Sequence, residues 1–134
     1  MSAEHAPVVA IFNTSEDTTA MLRVAFEHAG FVAVTVFTTA IRDGRMELER
    51  FMTQHRPQVI VYDIALPYEA NWRLFLNIRD SPACAGIAFV LTTTNVKRVR
   101  EATGTSEALH EIVGKPYDLG ELISLVRAAL PRDR

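Results

Sequence analysis

Asp63, Thr93 and Lys115 offer a carboxylate, a hydroxyl and an ammonium, each just beyond a short apolar run. Val59-Ile60-Val61-Tyr62 leads to Asp63, Ile87–Leu91 leads to Thr92-Thr93-Thr94, and Glu111-Ile112-Val113 leads to Gly114-Lys115-Pro116. A carboxylate can act as a nucleophile toward phosphorus. A threonine hydroxyl can donate to a phosphoryl oxygen, and a lysine ammonium can neutralise its charge. Asn13 and Thr14 follow a fourth apolar run, Val8–Phe12. In an open parallel sheet, ligands bind at the carboxyl ends of the strands, where the strand order reverses. The chemistry therefore requires these runs to be parallel strands that bring their ends to one rim.

The periodicity supplies such strands. Val8–Phe12 and Val59–Tyr62 have no polar break, as strands covered on both faces should read, and Val32–Phe37 is β-branched and aromatic. Ile87–Leu91 and Glu111–Val113 complete five. Helical spacing fills the gaps. Leu22, Ala25, Phe26 and Ala29 share a face behind a Thr14-Ser15-Glu16-Asp17 cap, and Gly30 is a natural terminator. Met46–His55, Trp72–Arg79 and Asn95–Ala102 read as three more helices. Leu119, Leu122, Ile123, Val126 and Leu130 form the clearest helical stripe. Five strands alternating with five helices predict one α/β sandwich, with residues 1–134 as a single domain, a core over about 7–130, and loose ends at Met1–Ala6 and Pro131–Arg134.

At these residues the whole chain resembles the receiver domain of two-component response regulators. Val61-Tyr62-Asp63-Ile64-Ala65-Leu66-Pro67 is similar to that family's phosphoacceptor strand and loop, and Thr93 and Lys115-Pro116 fall where it keeps a hydroxyl and a lysine-proline pair. The intervals of 30 residues from Asp63 to Thr93 and 22 from Thr93 to Lys115 match its layout. The resemblance implies a flavodoxin-like (βα)5 three-layer sandwich whose five-stranded parallel sheet has the order 2-1-3-4-5. It implies that Asp63 accepts phosphate from a histidine kinase or phosphotransfer protein, that Thr93 bonds the phosphoryl group, and that Lys115 pairs with both. It further implies a cis Lys115–Pro116 bond, and Mg²⁺ held by Asp63, Asn13 and the Ala65 carbonyl.

The chain also departs from the family pattern. Two adjacent acids normally follow the first strand to hold the cation; here Asn13 and Thr14 stand there. Glu16 and Asp17 lie further on, where acids stabilise a helix N-terminus. Two unit charges about 4 Å apart interact by about 4 kcal/mol at an effective dielectric of about 20, so removing two carboxylates weakens a divalent site substantially. With no neighbouring acids to repel it, Asp63 is expected to pair directly with Lys115 and Mg²⁺ to bind weakly. Ile112 occupies the place of the family's switching aromatic, while Tyr117, after Pro116, is expected to point elsewhere.

Other residues carry plainer readings. His5, His28, His55 and His110 show no ligand spacing, and Cys84 is a loop thiol without a catalytic partner. Lys97-Arg98-Val99-Arg100 reads as a solvated helix face, with partner docking as the alternative. Fourteen basic against sixteen acidic residues argue against general binding to nucleic acid or anionic membrane. No apolar run approaches the roughly 20 residues of a membrane helix, and the N-terminus lacks a signal-peptide pattern, so a cytoplasmic protein is expected. Four residues follow Leu130, which fits a stand-alone module without an output domain. The expected function is an atypical receiver in a phosphorelay that signals by protein contact to a downstream target, with the 95–130 face as a homodimer surface. No enzymatic activity is expected beyond phosphotransfer onto its own Asp63. The alternative is a flavodoxin-like flavin- or nucleotide-binding protein, suggested by the hydroxyl-rich stretch Asn13–Thr19 at a helix start but opposed by its lack of glycine and by Glu16 and Asp17. A haloacid-dehalogenase-like phosphatase would need a second acid where Ala65 stands.

Overall fold

The computed structural model describes residues 6–103 and 109–131. His5, the ends at residues 1–5 and 132–134, and the side chain of His110 lie outside the described residues. Five parallel strands, β1 (Val8–Asn13), β2 (Val32–Phe37), β3 (Val59–Ile64), β4 (Ala88–Thr93) and β5 (Leu109–Gly114), form one sheet in the order β2-β1-β3-β4-β5. This is the flavodoxin-like order expected from the resemblance. The order reverses beside β1 and β3, so the crevice lies at their carboxyl ends.

Among the described residues six α-helices cover the sheet: α1 (Glu16–His28), α2 (Thr38–Arg42), α3 (Leu48–His55), α4 (Tyr68–Arg79), α5 (Val96–Thr103) and α6 (Leu119–Ala129). The additional one is α2. One turn of helix cannot show a periodicity, so Thr38–Arg42 carried no signal beyond the apolar Ile41 that it turns toward the core. The other elements were expected, with shifted ends. In particular, α4 starts four residues before Trp72, and each strand that carries a site residue extends past its apolar run.

Strand alternation divides the core into two layers. Val9, Ile11, Val59, Val61 and Val90 pack with Leu22 and Phe26 of α1 and Leu122 and Val126 of α6. Ala10, Phe12, Ile60, Tyr62, Phe89 and Leu91 pack with Phe51, Phe75 and Val99 on the other side. The Tyr62 ring lies 5.7 Å from Phe12 and 5.1 Å from Phe75, but its buried hydroxyl has no hydrogen-bond partner among the described residues. Asp63 shares the parity of Val59 and Val61, so its side chain projects toward the α1/α6 layer.

The helix ends behave as their residues dictate. The Ser15 hydroxyl accepts from the Thr18 N–H at 3.2 Å, with Glu16 and Asp17 in the first turn, and Gly30 follows α1 at φ 98°. The capping reading of these two acids therefore stands. Gly114 is needed for close approach: a Cβ there would lie 2.8 Å from Val96 Cγ2.

Candidate functional site

Asp63, next to the last residue of β3, is 4% exposed. Its Oδ1 accepts from two donors, Lys115 Nζ at 2.6 Å and the Thr92 hydroxyl, also at 2.6 Å. Lys115 follows β5 directly, and its own N–H donates to the Thr93 carbonyl at 2.9 Å. The expected direct ion pair is thus present. The Lys115–Pro116 bond is cis as expected, and Leu66–Pro67 is cis as well.

The hydroxyl beside Asp63 belongs to Thr92, a correction to the expectation for Thr93. Asp63 faces Thr92 across the β3–β4 pair, and Thr93 faces Ile64, so Thr92 shares the face of Asp63 and Thr93 takes the opposite one. Thr93 is fully buried, and its Oγ1 accepts from the Asn95 N–H at 3.2 Å, capping the turn into α5. The Thr94 hydroxyl bonds the Tyr68 hydroxyl of α4. Thr92 therefore ties the end of β4 to β3 and Thr94 ties the next turn to α4, while Thr93 bonds within that turn.

The oxygens expected to meet a cation have protein donors. Asn13 ends β1 at 2% exposure, and its Oδ1 accepts from the Ser15 N–H at 2.9 Å. The Ala65 carbonyl accepts from Asn71 Nδ2 at 2.7 Å. Thr14, like Glu16 and Asp17, is exposed. Among the described residues, no three of His, Cys, Asp and Glu gather around one point.

Tyr117 is half-buried. It packs against the α1/α6 layer, and its hydroxyl is held above the usual phenol range by burial first and by the charge of Asp63 second. Ile112 is partly buried against the opposite core layer.

The remaining candidates are peripheral. Cys84 is 2% exposed in a 3₁₀ turn, Pro82–Cys84, and burial pushes its thiol up to about 11. His28 and His55 end α1 and α3, with the His55 ring 4.7 Å from Phe51. Arg98 pairs with Glu69 at 3.4 Å on an exposed surface, which contributes little. Thr92 was legible from strand parity, whereas Asn71 carried no sequence signal because its partner is a backbone carbonyl.

No protein-family model matches the chain. The phosphate regulon transcriptional regulatory protein PhoB of Rhizobium meliloti is 23% identical over 126 residues, covering 94% of this chain and 53% of that protein. The chain thus spans about half the length of that curated relative. Similar solved structures include the chemotaxis protein CheY4 of Vibrio cholerae, 19% identical with a TM-score of 0.68, covering 93% of this chain and 99% of that one. A sensor protein from Polaromonas is 21% identical with a TM-score of 0.70, covering 92% and 94%. A response regulator receiver protein from Sinorhizobium medicae is 15% identical with a TM-score of 0.69, covering 94% and 95%. The fold is that of the response-regulator receiver domain. No described helix is long and apolar enough to cross a membrane.

Proposed function

We propose that this receiver fold serves as an atypical phosphorelay module that signals by protein contact, with Asp63 as its phosphoacceptor and Mg²⁺ bound weakly. The observation that carries the reading is the Lys115–Asp63 contact of 2.6 Å, closed by Thr92 on the same oxygen. In this reading a histidine kinase or phosphotransfer protein presents its phosphoryl group to Asp63, whose carboxylate is the nucleophile. Lys115 then neutralises charge on the phosphoryl oxygens, and Thr92 takes the hydrogen-bonding role that spacing alone gave to Thr93. Chemistry beyond this self-phosphotransfer is not part of the reading.

The weak-cation element rests on charge and on occupied acceptors. The carboxylate and ammonium are net neutral, so a divalent ion beside them gains from Asp63 about what Lys115 takes away, on the order of 4 kcal/mol per unit-charge pair at about 4 Å. Neutral oxygens of Asn13 and Ala65 supply no compensating charge, and both already accept protein hydrogen bonds. The residues present do not fit Mg²⁺ well, and cation-dependent phosphotransfer is expected to be slow.

Output passes to a downstream protein, with self-association through the 95–130 face part of the same reading. The cytoplasm is the compartment where such a relay would operate. A flavin- or nucleotide-binding role is less well supported. The start of α1 already uses Ser15 and Asn13 on its own N–H groups, and Glu16 and Asp17 would repel an anion.

Incubation with acetyl phosphate and Mg²⁺, or with beryllofluoride, followed by intact mass and NMR, tests the proposal. Slow modification that disappears in Asp63→Asn supports a phosphoacceptor. Rapid saturation at low Mg²⁺ would overturn the weak-cation element, and modification that persists in Asp63→Asn would overturn the site.

A further inference from the structure

Asp63, Asn13 and the Ala65 carbonyl are the three groups that the resemblance assigns to a cation, and an oxygen of each accepts a hydrogen bond from a protein donor. Asp63 has Lys115 and Thr92, Asn13 has the Ser15 N–H, and Ala65 has the side-chain amide of Asn71 at 2.7 Å. Two of these arrangements are local to a strand end or to the charged pair. The third is different: Asn71 lies six residues beyond Ala65, in the first turn of α4, and reaches back across the loop.

That first turn is tied down at two other points. The Asn71 N–H donates to the Pro67 carbonyl at 3.1 Å, and Tyr68 bonds Thr94 at the end of β4. Asn71 is therefore presented to the Ala65 carbonyl by a fixed scaffold. An amide N–H is a donor that a carbonyl accepts in the absence of any ion, and it adds no charge to a net-neutral pair.

We propose that Asn71 is a positioning residue standing in for a divalent cation, holding the Ala65 carbonyl and the β3–α4 loop in place while withholding that oxygen from metal. This rests on the receiver reading of the site and deepens its weak-cation element. It follows that Asn71→Asp should turn the site toward cation binding. A carboxylate cannot donate to the Ala65 carbonyl, and it adds a second negative charge that a divalent ion would relieve.

The test uses the cation alone, without a phosphoryl donor. Mg²⁺ and Mn²⁺ are titrated into wild type, Asn71→Asp and Asn71→Ala, observing Trp72 fluorescence and amide resonances, with Mn²⁺ broadening as the positional marker. Wild type is expected to show no saturable change up to about 10 mM. Asn71→Asp should bind about tenfold more tightly or better, with broadening centred on Asp63 and Ala65. Asn71→Ala, with no metal added, should shift the Ala65 and Leu66 resonances and leave α6 unchanged. No saturable binding by Asn71→Asp up to about 10 mM, or Ala65 and Leu66 resonances unmoved in Asn71→Ala, would overturn the proposal. If Asn71→Asp does not fold, the Asn71→Ala resonances decide. Tight Mg²⁺ binding by wild type would overturn both the weak-cation element and the withholding role of Asn71, whereas failure of Asp63 to accept phosphate would strike the phosphoacceptor reading alone.

Discussion

Thr92 and Asp63 sit opposite each other on neighbouring parallel strands, and the threonine hydroxyl donates to the buried carboxylate at 2.6 Å. The bond lies in the interior, where a hydrogen bond to a charged group is worth more than one between neutral partners. Thr92→Val keeps the shape and removes the donor. It is expected to lower unfolding free energy by about 1.5–3 kcal/mol in urea titration, against about 1 kcal/mol for Thr93→Val. Equal losses would show that the two hydroxyls are interchangeable.

Lys115→Met leaves Asp63 buried without its counter-charge. Breaking a buried pair from one side costs about 3–5 kcal/mol, and the 28% exposure of the lysine side chain places this case near the lower figure. Asp63→Asn combined with Lys115→Met should recover most of that loss, because no lone charge remains. Urea unfolding of the single and double variants measures both values.

Much of this site was visible in the order of residues, and the reasons differ by residue. Asp63 and Lys115 were found because each closes an apolar run, so a parallel sheet had to bring them to one rim. The choice between Thr92 and Thr93 depended on register, and spacing carried over from a resemblance overrode the period-two alternation that separates them. Asn71 could not be recognised, since its partner is a main-chain oxygen and any residue would supply one. Thr38–Arg42 was missed because a single turn is shorter than the repeat that reveals a helix.

Gly114→Ala is expected to destabilise by about 1–3 kcal/mol, since its Cβ would lie 2.8 Å from Val96 Cγ2 and α5 would have to shift. Val96→Ala in the same molecule removes the obstructing methyl. The double variant should therefore lose less than the sum of the two single changes, as read from thermal midpoints.

Cys84 provides a pH-dependent test. Its thiol is raised from 9.0 to about 11 by burial, so at pH 8 the thiolate share in the folded protein is about a hundredfold below that of the unfolded chain. Reaction with a disulfide reagent should be slow in buffer and fast in urea. The folded state holds this proton more tightly, so the associated stability is complete below pH 9 and is lost as pH rises through about 11. A fast reaction in buffer would contradict the burial.

The run Thr92-Thr93-Thr94 gives β4 an end with three arms, one each to β3, the α5 turn and α4. A strand end bonded on one face to a buried carboxylate and, two residues on, to a helix of the other face joins the two core layers through three consecutive residues.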